Sequence, residues 1–134
     1  MEKYKSMLIF QKYVVDKVIF ERNNDFDFSQ KAKIEFSINK KTDKTENKMI
    51  VNLNTKIFEN AKENNYPFEM EVSITGFFEI ENDSKEIDFE PNAIAILYPY
   101  IRAIVSTYTA SANVSSLILP VINVNKLIED QEEN

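Results

Sequence analysis

The stretch Phe68-Glu69-Met70-Glu71-Val72-Ser73-Ile74-Thr75-Gly76-Phe77-Phe78-Glu79-Ile80 carries an apolar residue or glycine at every even position and a mostly polar residue at every odd one. Side chains of an extended chain alternate between two faces, so this pattern specifies a half-buried antiparallel strand, one face on a core and the other in water. The water-facing row is acidic, with Glu69, Glu71 and Glu79 on it.

Toward the N-terminus the same period continues. Met49, Val51, Leu53, Thr55 and Ile57 fall on one face of an extended run, with Asn52, Asn54 and Lys56 on the other. Over residues 33–39, Ile34, Phe36 and Ile38 alternate with Glu35, Ser37 and Asn39, and the charged segment Lys40 to Asn47 joins the two runs as a turn. Residues 7–21 are rich in β-branched and aromatic side chains, but Leu8-Ile9-Phe10 and Val14-Val15 are consecutive. Strict alternation therefore fails, and this strand is either bulged or buried on both faces. Glu21 to Gln30 then reads as a loop that carries Phe26 and Phe28.

Toward the C-terminus the period changes. After the polar residues 81–88, Asn92 is placed to cap a helix starting at Ala93, its side-chain oxygen accepting from a first-turn amide. Ile94, Leu97, Tyr98, Ile101, Ile104, Val105 and Tyr108 form one stripe of that helix, and Ala93, Ile96, Tyr100, Ala103 and Thr107 form a second. A helix apolar on two sides needs two covers, and one sheet supplies only one. The second stripe, with Ile96, Tyr100, Ala103 and Thr107, therefore predicts a subunit interface. Pro99 has no amide hydrogen for the Ala95 carbonyl, so a kink is expected there. A short second helix spans Asn125 to about Glu132, after an apolar loop from Leu117 to Asn123, and residues 132–134 read as a frayed acidic tail. The fold class is α+β: a four-stranded antiparallel sheet with a crossover connection, followed by one long and one short C-terminal helix.

Composition narrows the chemistry. A chain of 134 residues fits one domain and one core. It has no cysteine and no histidine, which removes thiolate nucleophiles, imidazole bases and the usual zinc ligand sets. Gly76 is its only glycine, so a glycine-rich phosphate loop cannot form. With 22 acidic against 16 basic side chains the formal charge is −6, which repels a phosphate backbone. No nucleic-acid partner is expected. Met1 to Lys5 leads directly into a β-like run, with no signal-peptide pattern and no apolar run long enough to span a membrane. A cytoplasmic protein without membrane insertion is expected. Glu69 and Glu71 stand about 7 Å apart by strand rise, a separation some hydrolases use, but on a flat sheet face without a pocket. Neither an enzyme nor a cofactor nor a metal site is expected.

What composition leaves over is apolar surface in irregular segments: Phe26 and Phe28 in one loop, Leu117, Ile118, Leu119, Val121 and Ile122 in another, Leu127 and Ile128 on the short helix. Burying one such side chain is worth about 1.5–3 kcal/mol, so several left in water would be costly. Either they plug the open edge of the sheet core, or they line a groove that accepts an extended polypeptide against strand two.

The run Pro91-Asn92-Ala93-Ile94-Ala95-Ile96-Leu97-Tyr98-Pro99-Tyr100-Ile101-Arg102, followed by Leu117-Ile118-Leu119-Pro120-Val121-Ile122-Asn123, resembles the end of the SecB family of export chaperones. Val18-Ile19-Phe20-Glu21, Ile34 to Ile38 and Glu71 to Phe78 fall where SecB-like chains have comparable strands, in the same order. The resemblance implies ATP-independent holding of unfolded polypeptides, chiefly precursors for Sec-dependent export. It implies a client groove made from the crossover loop, strand two and the second helix, carried here by Phe26, Phe28, Ile34, Phe36, Leu119, Val121, Leu127 and Ile128. It also implies a dimer of dimers, and an acidic sheet face for the SecA motor, which maps to Glu21, Glu69, Glu71 and Glu79. Lys17 stands where that pattern has another acid. Two alternatives stay open: a SecB-like chaperone dedicated to one client such as an antitoxin, and a passive module that binds a folded partner or a lipid-like ligand. The acidic row is equally consistent with a solvated face that discourages edge pairing.

Overall fold

The β1 strand (Leu8–Arg22) lies at one edge of a four-stranded sheet and β2 (Phe36–Lys44) at the other, with β3 (Lys48–Ile57) and β4 (Phe68–Ile80) between them. The order is β1-β4-β3-β2 and every pairing is antiparallel. The connection from β1 to β2 therefore crosses the whole sheet, as expected. One short helix, α1 (Ala61–Asn64), interrupts the path from β3 to β4, and α2 (Glu90–Ser111) and α3 (Val124–Glu133) follow. This computed structural model describes residues 7–81 and 87–133. The charged N-terminus, most of the polar stretch before α2 and Asn134 of the expected tail lie outside the described residues.

The inner rows of β3 and β4 meet α2. Val51, Leu53, Ile57, Val72, Ile74 and Phe78 are buried against Ile94, Leu97, Ile101 and Val105, which is the stripe the helical period marks. Close approach between the two layers depends on Gly76. A Cβ built there would lie 2.5 Å from Leu97 Cδ2 and 2.8 Å from Cδ1. The residue without a side chain lets the helix settle onto the centre of the sheet.

β1 resolves its own ambiguity. Its register against β4 shifts between Phe10 and Lys12 and again between Val15 and Lys17, so the consecutive apolar residues reflect two bulges. Val14, Val15 and Ile19 remain exposed along this edge strand.

Several boundaries differ from the sequence-based expectation. β2 begins at Phe36 and runs on to Lys44, so Ile34 precedes the strand and the turn contracts to the residues around Asn47. A lysine on the inner side of a strand is tolerated here because Lys40 Nζ reaches Glu90 Oε1 at 2.8 Å, both side chains being largely covered. The helix α2 starts at Glu90 and not at Ala93, and Asn92 does not cap it. Pro91 fits the first turn, where its missing amide costs nothing, and Asp88 Oδ1 accepts from the Glu90 amide at 3.0 Å. The helix continues through Pro99; Ala95 and Pro99 both lie on its exposed side, where water can replace the lost amide bond. α3 starts at Val124, capped by Asn123, whose Oδ1 accepts from the Lys126 amide at 3.0 Å, and Glu132 and Glu133 are helical.

Candidate functional site

The crossover loop is pinned at its start by one buried side chain. Asn23 Nδ2 donates to the carbonyl of Tyr66 at 2.9 Å, its amide donates to the Pro67 carbonyl at 2.9 Å, and its Oδ1 accepts from the Asp25 amide at 3.1 Å. The side chain serves the Tyr66 carbonyl and the Asp25 amide together because it carries both donors and an acceptor, while the Pro67 carbonyl takes the Asn23 backbone N–H. The chain is turned inward at this point, and Phe26 becomes 7% exposed. Phe28 meets Phe26 edge to face, with ring centres 5.1 Å apart, and stays 39% exposed. Arg22 lies over the Phe28 ring at 3.9 Å and donates from Nη1 to the Asn113 carbonyl at 3.4 Å. Beyond it, Asp27 accepts from the Ser29 hydroxyl at 2.7 Å and amide at 3.0 Å, and these bonds hold its carboxyl below the usual range.

These residues form one wall of a groove of about 240 Å³. Phe26, Phe28 and Ile34 come from the crossover loop, Phe58 and Phe68 from the ends of β3 and β4, and Val114 and Leu117 from the segment after α2. Gln30, Lys31, Ser115 and Ser116 supply a polar rim. The volume suits one or two large side chains and is smaller than the roughly 300–1,000 Å³ typical of small-ligand pockets.

The wall after α2 is held by side chains of that helix. Ser106 Oγ donates to the Leu117 carbonyl at 3.0 Å, and the Leu117 amide donates to Thr109 Oγ1 at 2.9 Å. Arg102 Nε donates to the Leu119 carbonyl at 2.9 Å, and the Tyr98 hydroxyl to the Pro120 carbonyl at 2.6 Å. Burial raises the Tyr98 pKa, with the nearby Arg102 opposing.

Of the eight residues expected to bind clients, the structure brings three together in this groove: Phe26, Phe28 and Ile34. Phe36 and Leu127 are half-buried against the core and are not among the residues that line the groove. Leu119 and Ile128 are core residues, because the four bonds from α2 drive the Leu119 segment inward and α3 seats Ile128 on the same cluster. Val121 is 82% exposed and lines no part of the groove. Phe58 and Phe68 were not among the expected site residues. The signal for them was the aromatic cluster Phe58, Tyr66 and Phe68, whose rings pack at 4.7 and 5.2 Å from Phe58.

The outer sheet face is mixed in charge. Glu71 accepts from Asn54 Nδ2 at 2.9 Å and pairs with Lys17 Nζ at 2.9 Å, and these bonds lower its pKa. Glu69 Oε1 accepts from the Ala61 amide at 3.1 Å, at the start of α1. Glu21 stands opposite Glu69 in the register, whereas Glu79 is opposite Lys48, and Glu71 opposite Lys56. The lysines of β1 and β3 thus flank the acidic row. On α2, Ala103 and Thr107 are exposed, Ile96 is half-buried, and Tyr100 stacks on Tyr13 of β1 at 4.2 Å between ring centres. Part of the second helical stripe is thereby covered by the protomer's own sheet.

Among the described residues no helix is long and apolar enough to cross a membrane, and no cluster of acidic side chains has a metal-binding arrangement.

The fold has solved counterparts. The Mycobacterium tuberculosis Rv1957 SecB-like chaperone, solved in complex with a ChAD peptide from the Rv1956 HigA1 antitoxin, superposes with a TM-score of 0.66 at 15% identity, covering 87% of this chain and 91% of that one. A protein of unknown function from Streptococcus agalactiae superposes with a TM-score of 0.51 at 12% identity, over 85% of this chain and 97% of that one. In sequence, an uncharacterised protein of Methanocaldococcus jannaschii is 34% identical over 135 residues, spanning 96% of this chain and 87% of the relative. The family described as preprotein translocase subunit SecB matches residues 2–134, so the chain belongs to the SecB family.

Proposed function

We propose that the protein is an ATP-independent holdase that binds non-native polypeptide. The observation that carries this reading is the groove just ahead of β2, floored by the buried rings of Phe26, Phe58 and Phe68, with the 39% exposed Phe28 at its mouth and a size that suits side chains of a polypeptide. Each apolar side chain taken from water contributes about 1.5–3 kcal/mol, so one groove alone binds weakly. Several grooves on one assembly hold a long unfolded client far more tightly, because later contacts are intramolecular. Self-association through the exposed side of α2, with Ala103 and Thr107 at its centre and Ile96 and Tyr100 beside them, would supply that multivalency in a dimer of dimers. The protein acts in the cytoplasm and carries out no chemistry of its own.

A chaperone dedicated to one client is the narrower form of this reading. It is favoured by the similar fold of a SecB-like chaperone solved with an antitoxin peptide. Delivery of precursors to the SecA motor through Glu21, Glu69, Glu71 and Glu79 is the alternative, and the lysines flanking these carboxylates weigh against it.

The test is to dilute a chemically unfolded, slow-folding polypeptide out of denaturant in the presence of the protein, then measure complex mass by light scattering behind a sizing column. A soluble complex formed only with the unfolded form is expected, and its mass gives the assembly. Aggregation at the unassisted rate would reject a general holdase. Charge reversal at Glu69 and Glu79 separates the alternatives: motor-driven delivery is lost with them, and client holding is not.

A further inference from the structure

One side chain of α3 occupies the open edge of the sheet. In the pairing of β2 with β3, the Phe58 amide donates to the Glu35 carbonyl at 2.9 Å and the Thr45 amide to the Lys48 carbonyl at 2.9 Å, which places the odd-numbered residues of β2 in the bonded pairs. The backbone groups of Phe36, Ile38 and Lys40 therefore point away from β3, toward the edge. There the Gln131 carboxamide receives the Lys40 amide at 3.1 Å and donates to the Ile38 carbonyl at 2.6 Å. A carboxamide carries the donor and acceptor of a peptide group, so Gln131 does what one residue of an added strand would do. The row continues toward the groove, since Phe36 and then Ile34, which lines it, precede Ile38 along the same segment.

Resting on the holdase reading, in which an extended client lies along strand two, we propose that Gln131 is a built-in competitor for the β2 edge at Phe36–Lys40 and holds it closed until the client strand displaces the carboxamide. The occupant is an unfolded segment that adds as a strand to β2 while placing an apolar side chain in the Phe26–Phe28 groove. Gln131 sits in the last turns of α3, where a helix opens at least cost, whereas Ile128 on the preceding turn is buried in the core. Opening thus needs a side-chain swing or one frayed turn and leaves the rest of α3 in place. Client binding and the Gln131 contact exclude each other, and the contact sets a threshold that folded or weakly extended chains fail to meet.

The test uses the full chain, as wild type and as Gln131→Ala, with a short fluorescent peptide of alternating leucine and threonine and the same peptide methylated on its edge-facing backbone nitrogens. Gln131→Ala is expected to bind the plain peptide roughly threefold to tenfold tighter, as suits the loss of one or two competing hydrogen bonds, with no gain for the methylated one. Hydrogen exchange at Lys40 is expected to rise in free Gln131→Ala and to fall again when the plain peptide binds. Gln131→Glu, which keeps the acceptor and loses the donor, is expected to fall between. If the wild type binds both peptides equally and Gln131→Ala gains nothing, the edge is not a recognition segment, although the holdase reading stands. If the wild type binds neither these peptides nor an unfolded protein, the holdase reading fails and this proposal with it.

Discussion

The Arg22 guanidinium stands 3.9 Å over the Phe28 ring while its Nη1 donates to the Asn113 carbonyl, so one residue at the end of β1 ties the crossover loop to the turn after α2. Both segments line the groove. Arg22→Ala is expected to loosen both and to weaken binding of an unfolded client severalfold. An exposed cation–π contact is worth about 0.5–1 kcal/mol, so global stability should fall by no more than about 1 kcal/mol. Arg22→Lys keeps the charge but not the planar stack, and should recover only part of the affinity. Titration with a labelled unfolded client, beside a urea melt, measures the two effects separately.

Gly76 and Leu97 give a second, purely structural expectation. Gly76→Ala puts a methyl group within 3 Å of both Leu97 methyls. Overpacking of this kind costs about 1–3 kcal/mol. In the Leu97→Ala background the added methyl should cost much less, because the space it needs has been vacated. A double-mutant cycle in urea reads the difference, and additive effects would mean that Leu97 is not what the glycine accommodates.

Strand periodicity made the sheet legible, because β3 and β4 each bury one face and leave the other in water. The crossover, the two late helices and the Phe26, Phe28 and Ile34 part of the groove were legible for related reasons: apolar residues in polar loops call for a cover. Three things were not. The start of α2 depended on Asp88, outside the apparent helix, accepting the bond assigned to Asn92. The short α1 depends on left-handed backbone at Phe58, Asn60 and Asn65, and its first amide is satisfied by Glu69 from the neighbouring strand. The burial of Leu119 follows from four bonds that tie residues 117–120 back to α2 across an irregular segment, which no periodicity encodes.

The pH dependence of that same segment follows from Tyr98. Its pKa is raised chiefly by burial, so the folded state favours the neutral phenol. The contribution is complete below the ordinary tyrosine value of 10.0 and is lost as pH rises through the higher folded value. Wild-type stability should therefore fall in the alkaline range above pH 10.0, with the Leu117–Asn123 segment loosening first. Tyr98→Phe should cost about 0.5–1.5 kcal/mol at neutral pH through the lost bond to the Pro120 carbonyl, and should flatten the alkaline loss. At the acid end the sign reverses for Glu71, whose lowered pKa adds stability above the usual carboxylate range that is lost as pH falls through its folded value. Lys17→Met and Asn54→Ala should each shift that acid limb upward.

Groove and core make opposite demands on neighbouring leucines, and this separates binding from folding most directly. Leu117 lines the groove and Leu119, two residues on, is fully buried in the core. Leu119→Ala should destabilise the protein by about 2–5 kcal/mol, the range for a buried leucine that leaves a cavity, and should alter client affinity only through unfolding. Phe28→Ala removes a ring that is already 39% exposed, so stability should fall by only about 1–2 kcal/mol. Its client affinity should nevertheless drop severalfold, because the client loses an apolar wall that water then occupies. Leu117→Ala should lie between, losing some of both. Urea midpoints and client dissociation constants for the three variants place each residue on its own side of that division. A Phe28→Ala variant that binds unfolded clients as well as wild type would remove the crossover loop from the site.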